Sequence, residues 1–388
     1  MKKKRATRRT AASLSAPPAC KHFTGYKPCF PGTRCFERCV DFDPIGTRIL
    51  LINLDAMGNV LATTSILPAI KRKFPESTIT WITEKRTAAL LQHNPLVDRI
   101  FTWEPESWLI LQQMTFDVLM NVDKSRRSGA FAVSVKAKKK LGFGMNASGQ
   151  IVPLSRDAAP NYLLGLDDDL KFHVNRKTVP QLQCEEFRLP YRRDEYVLTL
   201  SPEEREYRDR YAREQGLADG VSVVVGLNTG CSDLYPNKKM TIDQHVALIG
   251  LLAKVPGIRV LLLGGPEDTV RNAEIAREAG RHVLSTPTTE GLRRGLCYVD
   301  LCDLVVTGDS FGMHAAIALK KFVVVWFGVS CEAEIDLFER GVKLIPEGLS
   351  CSPCWKQECP YNVECRQMID LERIAAEVAR FAGERVRS

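Results

Sequence analysis

The 388-residue chain is 45% hydrophobic and 26% charged, an ordinary globular balance with room for two domains. Its net charge of +8 falls to +2 once Lys2, Lys3, Lys4, Arg5, Arg8 and Arg9 are set aside, so the folded body is near neutral and nucleic-acid binding is not indicated. No apolar run is long enough to span a bilayer, and the N-terminus lacks the apolar stretch of a secretory signal.

Residues 1–19 form a basic tail, expected to be solvated and disordered, whose charge also suits contact with anionic lipid of an inner leaflet. Residues 20–47 form a Cys-rich N-terminal segment. Arg48 to Asp55 has the pattern of a buried strand, Ala56-Met57-Gly58 turns the chain, and Asn59 to Phe74 has helical spacing closed by Lys71, Arg72 and Lys73. The alternation continues with strands at Thr78–Thr83, Arg99–Trp103 and Phe116–Val122 and helices at Lys85–Gln92 and Ser125–Lys138. Leu141 to Arg193 reads as loops with one or two helices. The rhythm then restarts. Helices are expected at Pro202–Glu214, Ile242–Ala253, up to Ala279 and near Thr289–Cys297, and strands at Val221–Leu227, Arg259–Leu263, His282–Leu284 and Leu304–Val306. A final helix is expected at Ile369–Phe381. Repeated β-α units imply parallel sheets covered on both faces, and two such arrays imply two Rossmann-like domains, 48–195 and 196–350, followed by a Cys-rich loop and helix, 351–388.

Chemistry concentrates in Thr307 to Leu319, Thr-Gly-Asp-Ser-Phe-Gly-Met-His-Ala-Ala-Ile-Ala-Leu, a small-residue turn between a strand and a helix. Such turns present backbone N–H groups and the positive helix end to a phosphate. Asp309 or Ser310 is suited to cap the helix, Gly312 to admit a ligand to the backbone, and His314 to donate to a phosphate oxygen. A capped helix with a buried histidine is the plainer alternative.

That segment, followed by Val-Val-Val-Trp-Phe-Gly (323–328), and the earlier Ile-Leu-Leu-Ile-Asn-Leu-Asp-Ala-Met-Gly-Asn-Val-Leu-Ala-Thr-Thr (49–64) together resemble glycosyltransferase family 9, the lipopolysaccharide heptosyltransferases. The resemblance implies an α/β GT-B fold, with two Rossmann-like domains facing across a cleft. It also implies inverting transfer from ADP-heptose, or a related nucleotide-diphosphate sugar, to a lipid-anchored lipopolysaccharide-core acceptor, without a catalytic cofactor. The place would be cytoplasmic, with peripheral inner-membrane contact. By the same resemblance the acceptor belongs to the first domain and the diphosphate to the second, over Asp309, Ser310, Gly312, Met313 and His314. Thr229 and Ser232 match the loop bordering the phosphates. Lys238 and Lys239 match a basic pair that would offset charge on the leaving group. Glu267 matches a ribose contact.

The family usually reads Gly-Asp-Val after the first strand, with the Asp as general base; this chain reads Gly58-Asn59-Val60. An amide is a poor base, and losing one typically costs about 10²–10⁴ in rate. Asp55 or Asp123 would have to substitute, or the protein is a weak or inactive nucleotide-sugar-binding relative. Asn59 remains a good helix cap, as Asp would be.

Cys351-x2-Cys354-x4-Cys359-x5-Cys365 is compact enough to enclose one metal, zinc by default with an iron–sulfur cluster as the alternative. Cys20, Cys29, Cys35 and Cys39 offer a second set, with His22 as a spare ligand. Both would staple loops that have little core, with no catalytic part. Cys184, Cys231, Cys297, Cys302 and Cys331 read mostly as small core residues.

Overall fold

The computed structural model describes residues 18–23, 25–29, 35, 39–54, 56–220 and 222–385. The expected restart of the β-α rhythm corresponds to two separate six-stranded sheets. The first half comprises β1 (Thr47–Ile52), α1 (Met57–Thr63), α2 (Leu67–Lys73), β2 (Ser77–Thr83), β3 (Arg99–Thr102), α3 (Pro105–Gln113), β4 (Thr115–Asn121), α4 (Arg126–Ser134), β5 (Lys136–Met145), β6 (Ile151–Pro153), α5 (Ala159–Leu163) and α6 (Val179–Glu186). Its strand order is β3-β2-β1-β4-β5-β6, parallel except for the β5–β6 pair.

The second half opens with α7 (Pro202–Glu214), β7 (Val223–Asn228), α8 (Ile242–Leu252), β8 (Ile258–Leu263), α9 (Thr269–Ala279) and β9 (Val283–Ser285). It continues with α10 (Leu292–Leu301), β10 (Leu304–Gly308), α11 (Phe311–Ala318), β11 (Phe322–Trp326), β12 (Gly341–Leu344), α12 (Glu364–Gln367) and α13 (Leu371–Arg385). The order β12-β11-β10-β7-β8-β9 is the same winding as in the first sheet. In each sheet the winding reverses between the first and fourth strands, which opens a crevice at their carboxyl ends.

Several local expectations shift for identifiable reasons. The expected helix 59–74 begins at Met57 and is interrupted by a 3₁₀ turn, Thr64–Ile66, before α2, which has Pro68 in its first turn. Pro68 has no N–H to continue an α-helical ladder. Asn59 therefore lies inside α1, whose cap position is Ala56. The basic run Lys136–Lys140 is not the end of a helix but the start of β5, paired in register with β4. The C-terminal helix α13 belongs to the second half: Ile374, Ala375, Val378 and Ala382 join the core of sheet residues Val225, Leu262, Val306 and Val324.

The two halves share a core. Val60, Leu61, Ile66 and Leu67 from the first lie in one buried cluster with Met313, Ala315, Ala316 and Ile317 from the second. Helices α1 and α11 thus pack directly on each other. Among the described residues, no helix is long and apolar enough to cross a membrane.

Candidate functional site

The crevice of the second sheet lies between the carboxyl ends of β7 and β10. Asn228, the last residue of β7, spans it: its amide nitrogen donates to Gly230 O at 2.9 Å, Ser310 Oγ at 3.0 Å and Thr307 Oγ1 at 3.1 Å. One side chain thereby fixes the loop after β7 to the entry of α11. Sequence reasoning missed it, because its partners lie far away in the chain. A Cβ on Gly312 would stand 2.4 Å from Asn228 Cγ, so the space Gly312 leaves is filled by Asn228 rather than by a ligand. Ser310 occupies the cap position of α11, but its side chain makes no cap bond, and its hydroxyl serves Asn228 instead. Met313 is fully buried in the shared core, so its side chain is not available to a phosphate.

Asp309 does not cap the helix either. Its carboxylate accepts from Lys238 Nζ at 2.6 Å, with both side chains close to nine-tenths buried. Burial works to raise the Asp309 carboxyl, but Lys238 and then His314 outweigh it and hold the group below its ordinary range. Lys238 is placed by its backbone: its carbonyl accepts from Trp326 Nε1 at 3.1 Å and would lie 2.5 Å from a Cβ on Gly308. The pair ties the loop after β7 to the turn after β10.

His314 is 7% exposed, with its ring at the junction of the halves rather than open to the crevice. It stacks on Tyr196 with centroids 6.0 Å apart and planes 16° apart, and a Cβ on Gly58 would touch its Cδ2 at 2.4 Å. Burial pushes its pKa down to about 4, against the pull of Asp309. The plainer expectation, a buried histidine, describes its surroundings, and its burial leaves no room for the expected donation to an open phosphate site.

The remaining second-half candidates differ in availability. Thr229 is buried, with its hydroxyl turned inward to Asn272 and Leu263 O. Ser232 and Glu267 are exposed on the loops that follow β7 and β8. Lys239 Nζ pairs with Asp233 at 3.1 Å on the surface.

In the first half Asn59 is exposed on the first turn of α1, next to the Gly58–His314 contact. Asp55 lies outside the described residues. Asp123, beyond β4, is buried and accepts from Asn53 Nδ2 at 2.7 Å and from the backbone N–H of Leu54. It joins the carboxyl ends of β1 and β4.

The described cysteines are free thiols. Cys351, Cys354, Cys359 and Cys365 line one cavity of about 300 Å³ beside Gly328 and Val329. Burial, and then the neighbouring Cys354, Cys359 and Cys351, push the Cys365 thiol up. In the N-terminal segment Cys35 is likewise raised, by desolvation first and then by Cys29, Cys39 and Cys20. Among the described residues, however, no group of three or more His, Cys, Asp or Glu side chains is arranged as a metal-ligand set. Cys184, Cys297, Cys302 and Cys331 are buried, and Cys231 is half-buried.

The sequence profile of glycosyltransferase family 9 (heptosyltransferase) matches residues 108–363. The lipopolysaccharide core heptosyltransferase OpsX of Haemophilus influenzae is 28% identical over 107 residues, 26% of this chain and 31% of that protein. Lipooligosaccharide heptosyltransferase 2 of Campylobacter jejuni is 23% identical over 164 residues, 41% of this chain and 51% of that protein. The chain thus aligns with about a third to a half of the length of these curated relatives.

Solved structures align more fully. The family 9 glycosyl transferase of Veillonella parvula superposes with a TM-score of 0.66 at 16% identity, covering 87% of this chain and 98% of that one. E. coli ADP-heptose LPS heptosyltransferase II gives 0.65 at 16% identity, with 87% and 99% covered. The iron-containing dodecameric glycosyltransferase TibC of enterotoxigenic E. coli gives 0.51 at 12% identity, with 87% and 77% covered. At these identities the likeness establishes the fold, which is the two-lobed GT-B arrangement expected from the sequence.

Proposed function

The chain belongs to glycosyltransferase family 9, and from that premise we propose that it transfers heptose, or a related sugar, from an ADP-sugar to a lipopolysaccharide-core-type acceptor with inversion. The observation that carries this reading is the Lys238–Asp309 pair at the carboxyl ends of β7 and β10, a few residues from the helix that packs on α1 of the other half. In the proposed reaction the acceptor hydroxyl attacks the anomeric carbon, the bond to the diphosphate breaks, and Lys238 offsets the charge that collects on the departing phosphate. The entry of α11 supplies backbone N–H groups to the same anion. Ser232, Lys239 and Glu267 are proposed to line the nucleotide. Thr229 and Met313 act through packing, and His314 holds α11 against α1.

A second reading is favoured by one residue. Asn59 stands where the family places its base, so a catalytically weak or purely nucleotide-sugar-binding role is the alternative. Incubation with ADP-heptose and a core acceptor, with product followed by mass spectrometry, separates the two. Transfer that rises in Asn59→Asp supports the enzyme. ADP binding without product in either form supports the binder.

We further propose that Cys351, Cys354, Cys359 and Cys365 hold a structural zinc or iron centre, with Cys20, Cys29, Cys35 and Cys39 as a second set. The support is donor chemistry, four thiols on a single cavity, and a relative of the same fold that is iron-containing. Elemental analysis of the purified chain and of Cys354→Ser tests it; wild-type protein free of zinc and iron removes the proposal. The family reading makes the chain a cytoplasmic protein, and the charge of the basic tail, residues 1–19, suits peripheral contact with the anionic inner leaflet.

A further inference from the structure

Trp355 sits in the Cys-rich loop between Cys354 and Cys359, and its ring carries one lysine from each half. Lys238 Nζ lies 4.4 Å from the ring centroid and Lys171 Nζ 4.8 Å. Lys171 belongs to a single π-helical turn, Leu170–Val174, within the first half. Such turns concentrate at functional sites. Each lysine has one carboxylate beyond the indole: Asp309 at 2.6 Å for Lys238, and Glu334 at a looser 3.8 Å for Lys171.

The indole is held firmly. Trp355 has φ of +50°, a left-handed conformation that a bulky residue adopts only when its surroundings impose it. Its backbone N–H donates to Val329 O at 2.9 Å, and that of Cys354 to the same oxygen at 3.0 Å, which fastens the loop to the segment after β11. Tyr235 meets the ring edge-on at 5.3 Å and 82°.

Each ammonium group reaches the same indole from a different half, and each already has a carboxylate partner. A diphosphate carries more than one negative charge and suits two cations held about one ring. We infer that Lys171 is a donor-binding residue supplied from across the cleft. With Lys238 it forms a two-lysine clamp for the diphosphate of a nucleoside diphosphate sugar, and Trp355 is the seat that keeps both cations in place when no anion is bound. The inference rests on the donor reading proposed above. It adds a first-half cation to a site otherwise built from the second half, so one anion would engage both lobes.

Calorimetric titration of the full chain with ADP, and with adenosine as the control, tests the clamp. Lys171→Met is expected to weaken ADP binding by about tenfold or more, the loss typical of a charge-assisted contact. Lys171→Arg should keep most of the affinity, and Trp355→Leu should lose about as much as Lys171→Met, whereas Trp355→Phe should not. ADP binding that is unaltered by Lys171→Met but weakened by Lys238→Met overturns the clamp alone. A wild-type chain that ignores ADP, GDP and UDP overturns the donor reading and the clamp with it.

Discussion

Gly58→Ala tests how the two halves are joined. An added Cβ would stand 2.4 Å from Cδ2, 2.9 Å from Nε2 and 3.2 Å from Cγ of His314. Ordinary carbon contacts begin near 3.5 Å, so α1 and α11 must separate by roughly 1 Å or the ring must turn. The ring has little room to turn, since Tyr196 stacks on it with its hydroxyl 3.5 Å from Nδ1, and Phe338 backs Tyr196 edge-on at 6.0 Å. Overpacking of this kind costs about 1–3 kcal/mol. The gain from alanine in a helix is at most about 1 kcal/mol and is smaller in the first turn. The net loss is about 1–2 kcal/mol, a drop in melting temperature of roughly 1–3 °C for a chain of this size. A double-mutant cycle with His314→Ala isolates the contact: with the ring removed, Gly58→Ala should become neutral or stabilising, a coupling of about 1–2 kcal/mol. Equal destabilisation in both backgrounds, or none in the presence of His314, refutes the idea that this contact sets the distance between the halves.

Asn59→Asp is expected to raise sugar transfer by about 10²-fold or more if a missing base limits the rate, measured as initial velocity at saturating donor. Asp309→Ala leaves Lys238 nearly buried beside no carboxylate and should destabilise the chain by about 3 kcal/mol in urea denaturation, whereas Asp309→Leu combined with Lys238→Met should restore much of that loss but not ADP binding. His314 and His245 are both pushed by burial down to about 4. Between that value and the ordinary histidine value of about 6.5 the unfolded chain binds more protons than the folded one. Their contribution is therefore complete above pH of about 6.5 and is lost as pH falls through about 4, up to roughly 3 kcal/mol each. Urea midpoints measured from pH 7 to 4 should fall along that window, and His245→Gln should flatten the slope.

Much of the architecture could be read from local signals. Helix α7 matches its expected bounds because Ser201 and Glu204 form a reciprocal cap at its start and Pro202 leads its first turn. Strands β1 and β7 are apolar runs buried on both faces, the pattern of a central parallel strand. What failed depended on distant partners. Lys136 to Lys140 carries no apolar alternation and becomes a strand only because β4 offers a ladder, with Phe116 opposite Ala137 and Leu119 opposite Lys140. At the candidate site the side chains of the motif take other parts than expected: Gly312 makes room for Asn228, and Ser310 serves that same amide. The meeting of Lys171 with Trp355 has no local sign at all, since one lies in an irregular stretch of the first half and the other in a Cys-rich loop.

The consequences of Asn59 follow from what the neighbouring carboxylates already do. Asp123 is 4% exposed and accepts from Asn53 and Leu54, so taking a proton would untie the ends of β1 and β4 that it joins. Hydrogen bonds to a charged group are worth about 1.5–3 kcal/mol each, and they stabilise the ionised form against protonation. Asp309 is committed to Lys238, and Glu334 faces Lys171. A base must be both ionised and free to receive the acceptor proton; Asp123 and Asp309 are taken up by the bonds they accept, and burial raises the Glu334 carboxyl above its ordinary range beside Lys171. Asn59→Asp adds a carboxylate on the exposed first turn of α1 without disturbing any of those bonds. The size of its effect therefore measures base catalysis directly. A large gain marks a transferase slowed by one amide, and no gain despite tight ADP binding marks a protein whose crevice holds a nucleotide for another purpose.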